Sequence, residues 1–483
     1  MSSLPDLSEL SHAQKDALIG QLWAQNQLLT AQLALLQERI GQFEARLKLN
    51  SRNSSKPPSS DGLAKPAPKS LRLKGQRPVG GQKGHQGNTL RQSAQADEII
   101  PHESTPTCPA CQGEWSAHEV IDRRQVFELP VLRAQVTEHR LMRSTCRCGA
   151  VHEGRWPEGV NAPAQYGERA KALVTHLNQH HLVPLQRTCE LMQDVFNLPL
   201  SQASVQAFNQ QAALALAPTV AAIGQAVQAA PVVHADETGI RIEGKLHWLH
   251  CLVTASLTWL GHHAKRGSQA FDALGLLAGV RGTLVHDGLA GYKHLDCAHS
   301  LCNAHHLREL TFVHEQSSDK VFNGWAQEMK GLLVQAKREV AQAGGPLPPG
   351  RQAWFEAQWD RLLECGEALH PEVKPEGYCQ GKRGRHKQSK EFNLLRRLRV
   401  YRLDVWRFMT HKDVPFTNNL AEQALRMSKV RQKVSGCFRT RHGASTFFTI
   451  HSYLATMRKQ GACLLDCLIS TFKGQPVQPR WAG

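Results

Sequence analysis

From residue 18 to residue 50, apolar side chains return at two fixed positions of a seven-residue repeat. Ile19, Leu33, Ile40 and Leu47 share one position with Asn26, and Leu22, Leu29, Leu36 and Phe43 share the other. Four heptads of this kind predict a coiled coil over residues 1–50, and a lone Asn on the apolar seam favours a parallel dimer in register. An amphipathic helix packed on its own domain is the alternative.

The heptad then gives way to a stretch with little to bury. Residues 51–100 are rich in Ser, Pro, Gly and Lys, which predicts a disordered arm. From Lys48 to Arg91, ten Lys or Arg stand against one acid, Asp61. Such a balance suits phosphate contact without sequence reading. Over residues 101–165, strand-like alternation (VFELPVLRAQVTEHRLM) lies between Cys108-Pro-Ala-Cys111 and Cys146-Arg-Cys148. Two cysteine pairs flanking a hairpin-sized insert are the pattern of a zinc ribbon, with four thiolates around a tetrahedral Zn²⁺. The second pair has one intervening residue instead of the usual two or more, and reduced, buried thiols are the alternative. Residues 166–230 read as helical, broken at Pro184 and NLPLSQAS, with Ser201 or Ser204 able to cap the next helix. LMQDVFNLPLSQASVQAFNQ has the size of a DNA-binding helix-turn-helix, a size many plain helical pairs share.

Over residues 231–312 the period changes. The apolar run PVV leads into HADETGI, where Asp236 and Glu237 stand at the expected end of a buried strand. Alternation through KLHWLHCLVT and LTWLGHH predicts two more strands. Ser268 can cap a helix over QAFDALGLLAG, and the strand TLVH ends in Asp287. A strand with an acid at its end, two strands, a helix, then a strand with a second acid is the order of a ribonuclease H-like core, in which the first and fourth strands lie side by side. Strands ~4.8 Å apart place carboxylates at corresponding ends within reach of shared metal ions. Two Mg²⁺ ions ~3.5–4 Å apart would clamp the attacking and leaving oxygens of a phosphoryl displacement. Alternation sends Asp236 and Glu237 to opposite faces, so one of them is expected to join Asp287; periodicity does not select it.

A third acid is expected on a helix packed against the sheet, and FTNNLAEQALRMSKVRQK offers Glu422. The competing role is local: with Asn419 as N-cap, Glu422 would close a capping box. The cations that follow (Arg426, Lys429, Arg431 and Lys433) are not called for by a cap. Lys429, seven residues on, shares a helix face with Glu422 and can hold a phosphate. Residues 313–412 read as an all-helical insertion, residues 413–460 as the part of the core carrying the Glu422 helix, and residues 461–483 as a C-terminal tail. From Lys382 to Arg402, nine Lys or Arg, Arg383 and Arg385 among them, face Glu391 alone and predict a second DNA-binding surface. Cys302-Asn-Ala-His305 is assigned a structural role, with metal binding as the alternative, because no second ligand pair is visible beside it.

Length and charge agree with this division. A chain of 483 residues is too long for one core, and a net charge of +17 favours a polyanionic partner. Thirteen scattered cysteines do not form a disulfide framework. No apolar run reaches the ~20 residues of a spanning helix, and the N-terminus lacks a signal pattern. A cytoplasmic protein with no membrane partner is expected.

HADETGI, HDGLAGYKHL, CNAHHLREL, TNNLAEQALRMSKVRQKVSGCFRTRHGA and SYLATMRKQG strongly resemble the transposases of the insertion sequence 66 family. NSRNSSKPPSSDG and GGQKGHQG are similar to that family's N-terminal arm, and the cysteine pairs occupy its zinc-binding region. The family's second pair usually has two intervening residues, and here it has one. The resemblance implies a DDE transposase of bacterial, nucleoid-associated setting, with Asp236, Asp287 and Glu422 as acids binding Mg²⁺ or Mn²⁺. It also implies accessory proteins of the same element. The expected chain is therefore multidomain α+β: coiled coil, basic linker, zinc-ribbon-like module, helical region, then a ribonuclease H-like core with a helical insertion. It would act as a homodimer or larger on double-stranded DNA, with Lys429, Arg431, Arg426, Lys433, Lys382, Arg383 and Arg385 on phosphates. A structure-specific nuclease of the same fold, or a DNA-binding regulator without catalysis, is the rival reading.

Overall fold

The computed structural model describes residues 11–47, 49–50, 53–54, 90–102, 107–114, 119–275, 277–316, 323–373 and 388–481. Most of the basic arm, and Lys382, Arg383 and Arg385, lie outside the described residues. The chain divides into two compact units: one of residues 1–66, 164–188 and 202–483, the other of residues 67–163 and 189–201. The heptad region forms one helix, α1 (His12–Leu47), with Ile19, Leu22, Leu29, Leu33, Leu36 and Ile40 all exposed.

The smaller unit holds a two-stranded ladder, β1 (Arg143–Thr145) antiparallel to β2 (Val151–Glu153). The ladder brackets the second cysteine pair: Cys146 N–H donates to Ala150 O at 2.8 Å and Gly149 N–H to Cys146 O at 2.9 Å. The alternating stretch 126–142 is a correction to the sequence reading, because it forms no strand. Val126, Val131 and Val136 are exposed. Alternation specifies a strand only where a ladder partner and a core receive one face; among the described residues, the backbone bonds here (Ala134 N–H to Phe196 O and Gly154 N–H to Met142 O) are isolated ones.

In the larger unit the helical region resolves into α2 (Glu168–Thr175), a π-helical turn (His176–His180), α3 (Leu185–Phe196), which continues into the smaller unit, and α4 (Gln202–Gln228). Pro184 precedes α3 and Ser201 precedes α4, as punctuation predicts. Next comes a five-stranded sheet of β3 (Val232–Ile242), β4 (Lys245–Val253), β5 (Thr258–His263), β6 (Thr283–His286) and β7 (Ala298–Leu301), in the order β5-β4-β3-β6-β7. The first three strands are antiparallel neighbours; β6 runs parallel to β3, and β7 parallel to β6. Gly282 makes the β3–β6 approach possible, since a Cβ there would meet the Ala230 and Pro231 carbonyl oxygens at 2.4 Å. The first of the two acid-bearing strands is longer than expected: β3 runs through Asp236 and Glu237 to Ile242, pairing with β4 from His234 to Ile242. What stops near the acids is β6. Ser268 is the first residue of α5 (Ser268–Leu274), whose N-cap is Gly267.

After β7 the chain is helical: α6 (Asn303–Gln316), α7 (Gly324–Ala343), α8 (Pro349–Leu369), α9 (Lys390–Val400) and α10 (Arg402–Thr410) pack around a core including Trp325, Phe355, Trp359 and Trp406. Three more helices close the unit: α11 (Asn419–Ser435), α12 (Arg441–Lys459) and α13 (Leu464–Phe472). The tail thus contributes a helix, and Cys467 and Leu468 of α13 join a core with α2, α4 and α12. Even-numbered residues of β3 (Ile240, Ile242) pack on Ala421 and Leu425 of α11 and on the phenylalanines of α12. Odd-numbered ones (Val233, Ala235) pack on α4, α5 and Tyr292. Each face of the sheet is buried under helices, in keeping with the short apolar runs at the start of β3 (Val232, Val233) and within β6 (Leu284, Val285). No helix among the described residues is long and apolar enough to cross a membrane.

Candidate active site

The β3–β6 register pairs Val232 with Thr283, Val233 with Leu284 and His234 with Val285. Carried two residues further, it sets Asp236 level with Asp287. β6 ends at His286, so no strand flanks β3 on that side at the level of the acids. Gly288, with φ of 90°, turns the chain away, and Asp287 Oδ1 accepts the Leu289 N–H at 3.1 Å.

One carboxylate oxygen from each of Asp236, Glu237 and Asp287 lies within 4.8 Å of the other two. This corrects the expectation that only one neighbour on β3 could join Asp287. The alternation holds: Asp236 shares the face of β3 covered by α11, and Glu237 the face covered by Tyr292. With β6 ended, however, both side chains reach Asp287 across the open edge.

Glu237 is held from two sides. Tyr292 O–H donates to Oε2 at 2.5 Å, and Arg266 donates to Oε1 through Nε at 2.9 Å and Nη2 at 2.7 Å. Asp236 Oδ1 accepts the Glu237 N–H at 2.9 Å. Burial pushes the Asp236 carboxyl up to about 8, with repulsion from Glu237, Asp287 and, further off, Glu422 adding to it. Glu237 is raised by burial and by Asp287, against the opposing pull of Tyr292 and Arg266. Like charges gathered in a poorly solvated place raise one another's pKa, and a cation relieves them.

Glu422 lies in the first turn of α11, but no capping box forms. The N-cap is Asn418, not Asn419, and its side chain is used elsewhere. Asn418 Nδ2 donates to Ala235 O at 2.8 Å, Oδ1 faces His234 Nδ1 at 2.9 Å, and the Asn418 N–H donates to Cys302 Sγ at 3.2 Å. Asn418 thus ties the strand bearing Asp236 to the helix bearing Glu422. The Glu422 carboxylate is grouped with Cys302 and His305 instead of with Asp236 and Asp287. His305 across 3.6 Å, then Arg308 and Arg426, hold its carboxyl below the ordinary value against the effect of burial.

Of the cations on α11, Lys429 donates to Gly239 O on β3, and burial lowers its pKa. Arg431 lies over the rings of Phe438 and Phe447 at 4.8 and 4.7 Å. Arg426 and Lys433 are exposed. In the smaller unit all four thiols are free; hydrogen bonds from Ala110 and then Cys111 lower the Cys108 pKa, and hydrogen bonds from Cys148 lower that of Cys146. Among the described residues, no three of these thiols meet within 4.8 Å. Tyr292, Arg266 and Asn418 escaped the sequence reading. Tyr292 stands within HDGLAGYKHL and Asn418 within TNNLAEQ, so the motifs contained them without assigning them a task.

Hard oxygen donors converging beside the central strand of a helix-covered mixed sheet are, by donor chemistry, suited to a divalent cation such as Mg²⁺. The chain belongs to the Transposase IS66 family, whose model matches residues 163–446, a span that includes the sheet, all three acids and the helical insertion. Residues 2–91 are similar to a family of unknown function (DUF6444). No curated protein matches the chain.

Proposed function

We propose that this transposase cleaves and joins DNA strands by metal-assisted phosphoryl transfer on a ribonuclease H-like core. The observation that carries the reading is the placement of Asp236 on β3 level with Asp287, the residue just past the end of the parallel strand β6, with their oxygens within 4.8 Å. Mg²⁺ or Mn²⁺ bound there would supply an activated nucleophile, water and then a DNA 3′-hydroxyl, and neutralise charge at the phosphorus. The protein's part is to hold the donors. Arg266 and Tyr292 brace Glu237, leaving Asp236 and Asp287 as the less encumbered ligands. Asn418 holds α11 on β3, so that Glu422 stands on the face Asp236 occupies and completes the acid set.

DNA affinity would come from cations outside the acids: the arm, Arg426, Lys433, and the stretch containing Lys382, Arg383 and Arg385. In this reading Lys429 and Arg431 reach a phosphate only by leaving their present partners. The four cysteines of the smaller unit would bind one structural Zn²⁺ by drawing the two hydrogen-bonded pairs together, and α1 would pair with a second copy as a coiled coil.

The test is strand cleavage and joining by purified protein on its own flanking DNA with Mg²⁺. Asp236→Asn, Asp287→Asn and Glu422→Gln should each lower cleavage on the order of 10³-fold, about 4 kcal/mol of barrier, while DNA binding persists. Unchanged cleavage in all three removes the proposed site. Cleavage without joining makes the protein a nuclease.

A further inference from the structure

Cys302, the residue before α6, is 1% exposed. Its Sγ accepts the Asn418 N–H at 3.2 Å, and the backbone N–H groups of Ala304 and His305 also bond to it. Burial, with Glu422 nearby, raises the Cys302 pKa; the three N–H groups directed at its sulfur oppose that shift, as a bound cation would. His305, in the first turn of α6, faces Glu422, in the first turn of α11, with Nε2 3.6 Å from Oε1. That gap exceeds the ~2.7–3.2 Å of a hydrogen bond. It is close to the roughly 3.4 Å separating two ligands bound at ~2.0–2.1 Å to one tetrahedral ion. Sulfur, imidazole nitrogen and carboxylate oxygen all lie within 4.8 Å of one another.

We propose that Cys302, His305 and Glu422 form a binding site for a borderline transition-metal cation of the Zn²⁺ class, separate from the oxygen-only cluster of Asp236, Glu237 and Asp287. Mixed S, N and O donors suit Zn²⁺ or Co²⁺, whereas Mg²⁺ is served by oxygens alone. The Cys-x-x-His pair supplies two ligands, and the third comes from a helix more than a hundred residues later. Solvent can supply a fourth. The site goes beyond the proposed catalytic function and shares only Glu422 with it. An ion bound there would engage Glu422 and compete with its service beside Asp236.

The experiment is a Co²⁺ titration of metal-stripped full-length protein, followed by near-ultraviolet thiolate-to-cobalt absorption and by ions bound per chain. Cysteines 108, 111, 146 and 148 can contribute to the same absorption, so the readout is the difference between wild type and each variant. Cys302→Ser, His305→Gln and Glu422→Gln should each lose about one ion per chain and the corresponding share of the thiolate band. Asp236→Asn and Asp287→Asn should retain the thiolate band, whatever ion they lose from the oxygen-only cluster. Cys302→Ser also alters the bonds to the three N–H groups, so His305→Gln, which leaves the sulfur in place, is decisive if circular dichroism shows the serine variant unfolded. Wild-type spectra and stoichiometry in His305→Gln overturn the proposal, as does loss of the band in Asp236→Asn. Because the readout is metal binding, it stands or falls independently of strand cleavage.

Discussion

The side-chain amide of Asn418 donates to the carbonyl of Ala235 at 2.8 Å, one residue before Asp236 and four before Glu422 in the chain that follows it. The bond joins two segments that the chain separates by 183 positions. Asn418 is 1% exposed, so solvent cannot replace its amide. Asn418→Ala should cost about 1–3 kcal/mol of stability, because the Ala235 carbonyl loses its side-chain donor in a buried place. Denaturant midpoints measure this, and an unshifted midpoint would mean that the amide is dispensable. Strand cleavage should fall further than stability accounts for, since Glu422 loses its tether to β3.

Tyr292→Phe isolates the bracing of Glu237. The ring keeps its packing against Phe271 (centroids 5.0 Å apart), and only the hydroxyl on Oε2 is removed. The expected cost is again about 1–3 kcal/mol, and the carboxyl of Glu237 should titrate higher because a bond to its charged form is gone. Glu237→Gln, which keeps one acceptor oxygen for Arg266 and turns an amide N–H toward the Tyr292 hydroxyl oxygen, should reduce cleavage less than Asp236→Asn does. If it reduces cleavage more, Glu237 is the ligand and Asp236 the support.

Acid should destabilise the protein through its buried histidines. His451 on α12 is stacked on Phe447, and burial pushes its pKa down to about 4, with His180 and Arg458 adding to the effect. The unfolded chain titrates near ~6.5. Between those values the unfolded state binds the extra proton, so the stabilisation from a neutral His451 is whole above pH ~6.5 and is lost as pH falls toward 4. His451→Phe should flatten this part of the stability profile, measured by urea unfolding at pH 7 and pH 5. An equally steep profile in the variant would assign the acid sensitivity to other groups.

Deleting residues 1–50 should lower the oligomeric state. Leu29 and Leu36 are each 51% exposed on α1 and Leu33 is 59% exposed, and a row of half-open leucines gains by pairing with a second copy. Light scattering on the full chain and the truncation decides it, and a monomer in both cases would reject the coiled coil.

Local pattern in the sequence determined a good deal. Heptad spacing marked α1, Pro184 and Ser201 marked helix boundaries, and the strand, strand, strand, helix, strand order was legible because apolar period and turn residues are local properties. The family motifs singled out Asp236, Asp287 and Glu422. What the sequence lacked was everything set by neighbours. The alternating run 126–142 has the period of a strand but no partner to complete its ladder. Asp236 and Glu237 obey alternation, yet both reach Asp287, because a different strand, β6, stops at His286. Asn418, not Asn419, stands at the N-cap position of α11, and its side chain bonds β3 instead of closing a cap. Cys302-x-x-His305 looked incomplete in one dimension, since Glu422, the acid that packs within 4.8 Å of it, arrives on α11. Periodicity reports which face a side chain leaves from; only the packed chain decides what stands opposite it and where the neighbouring backbone ends.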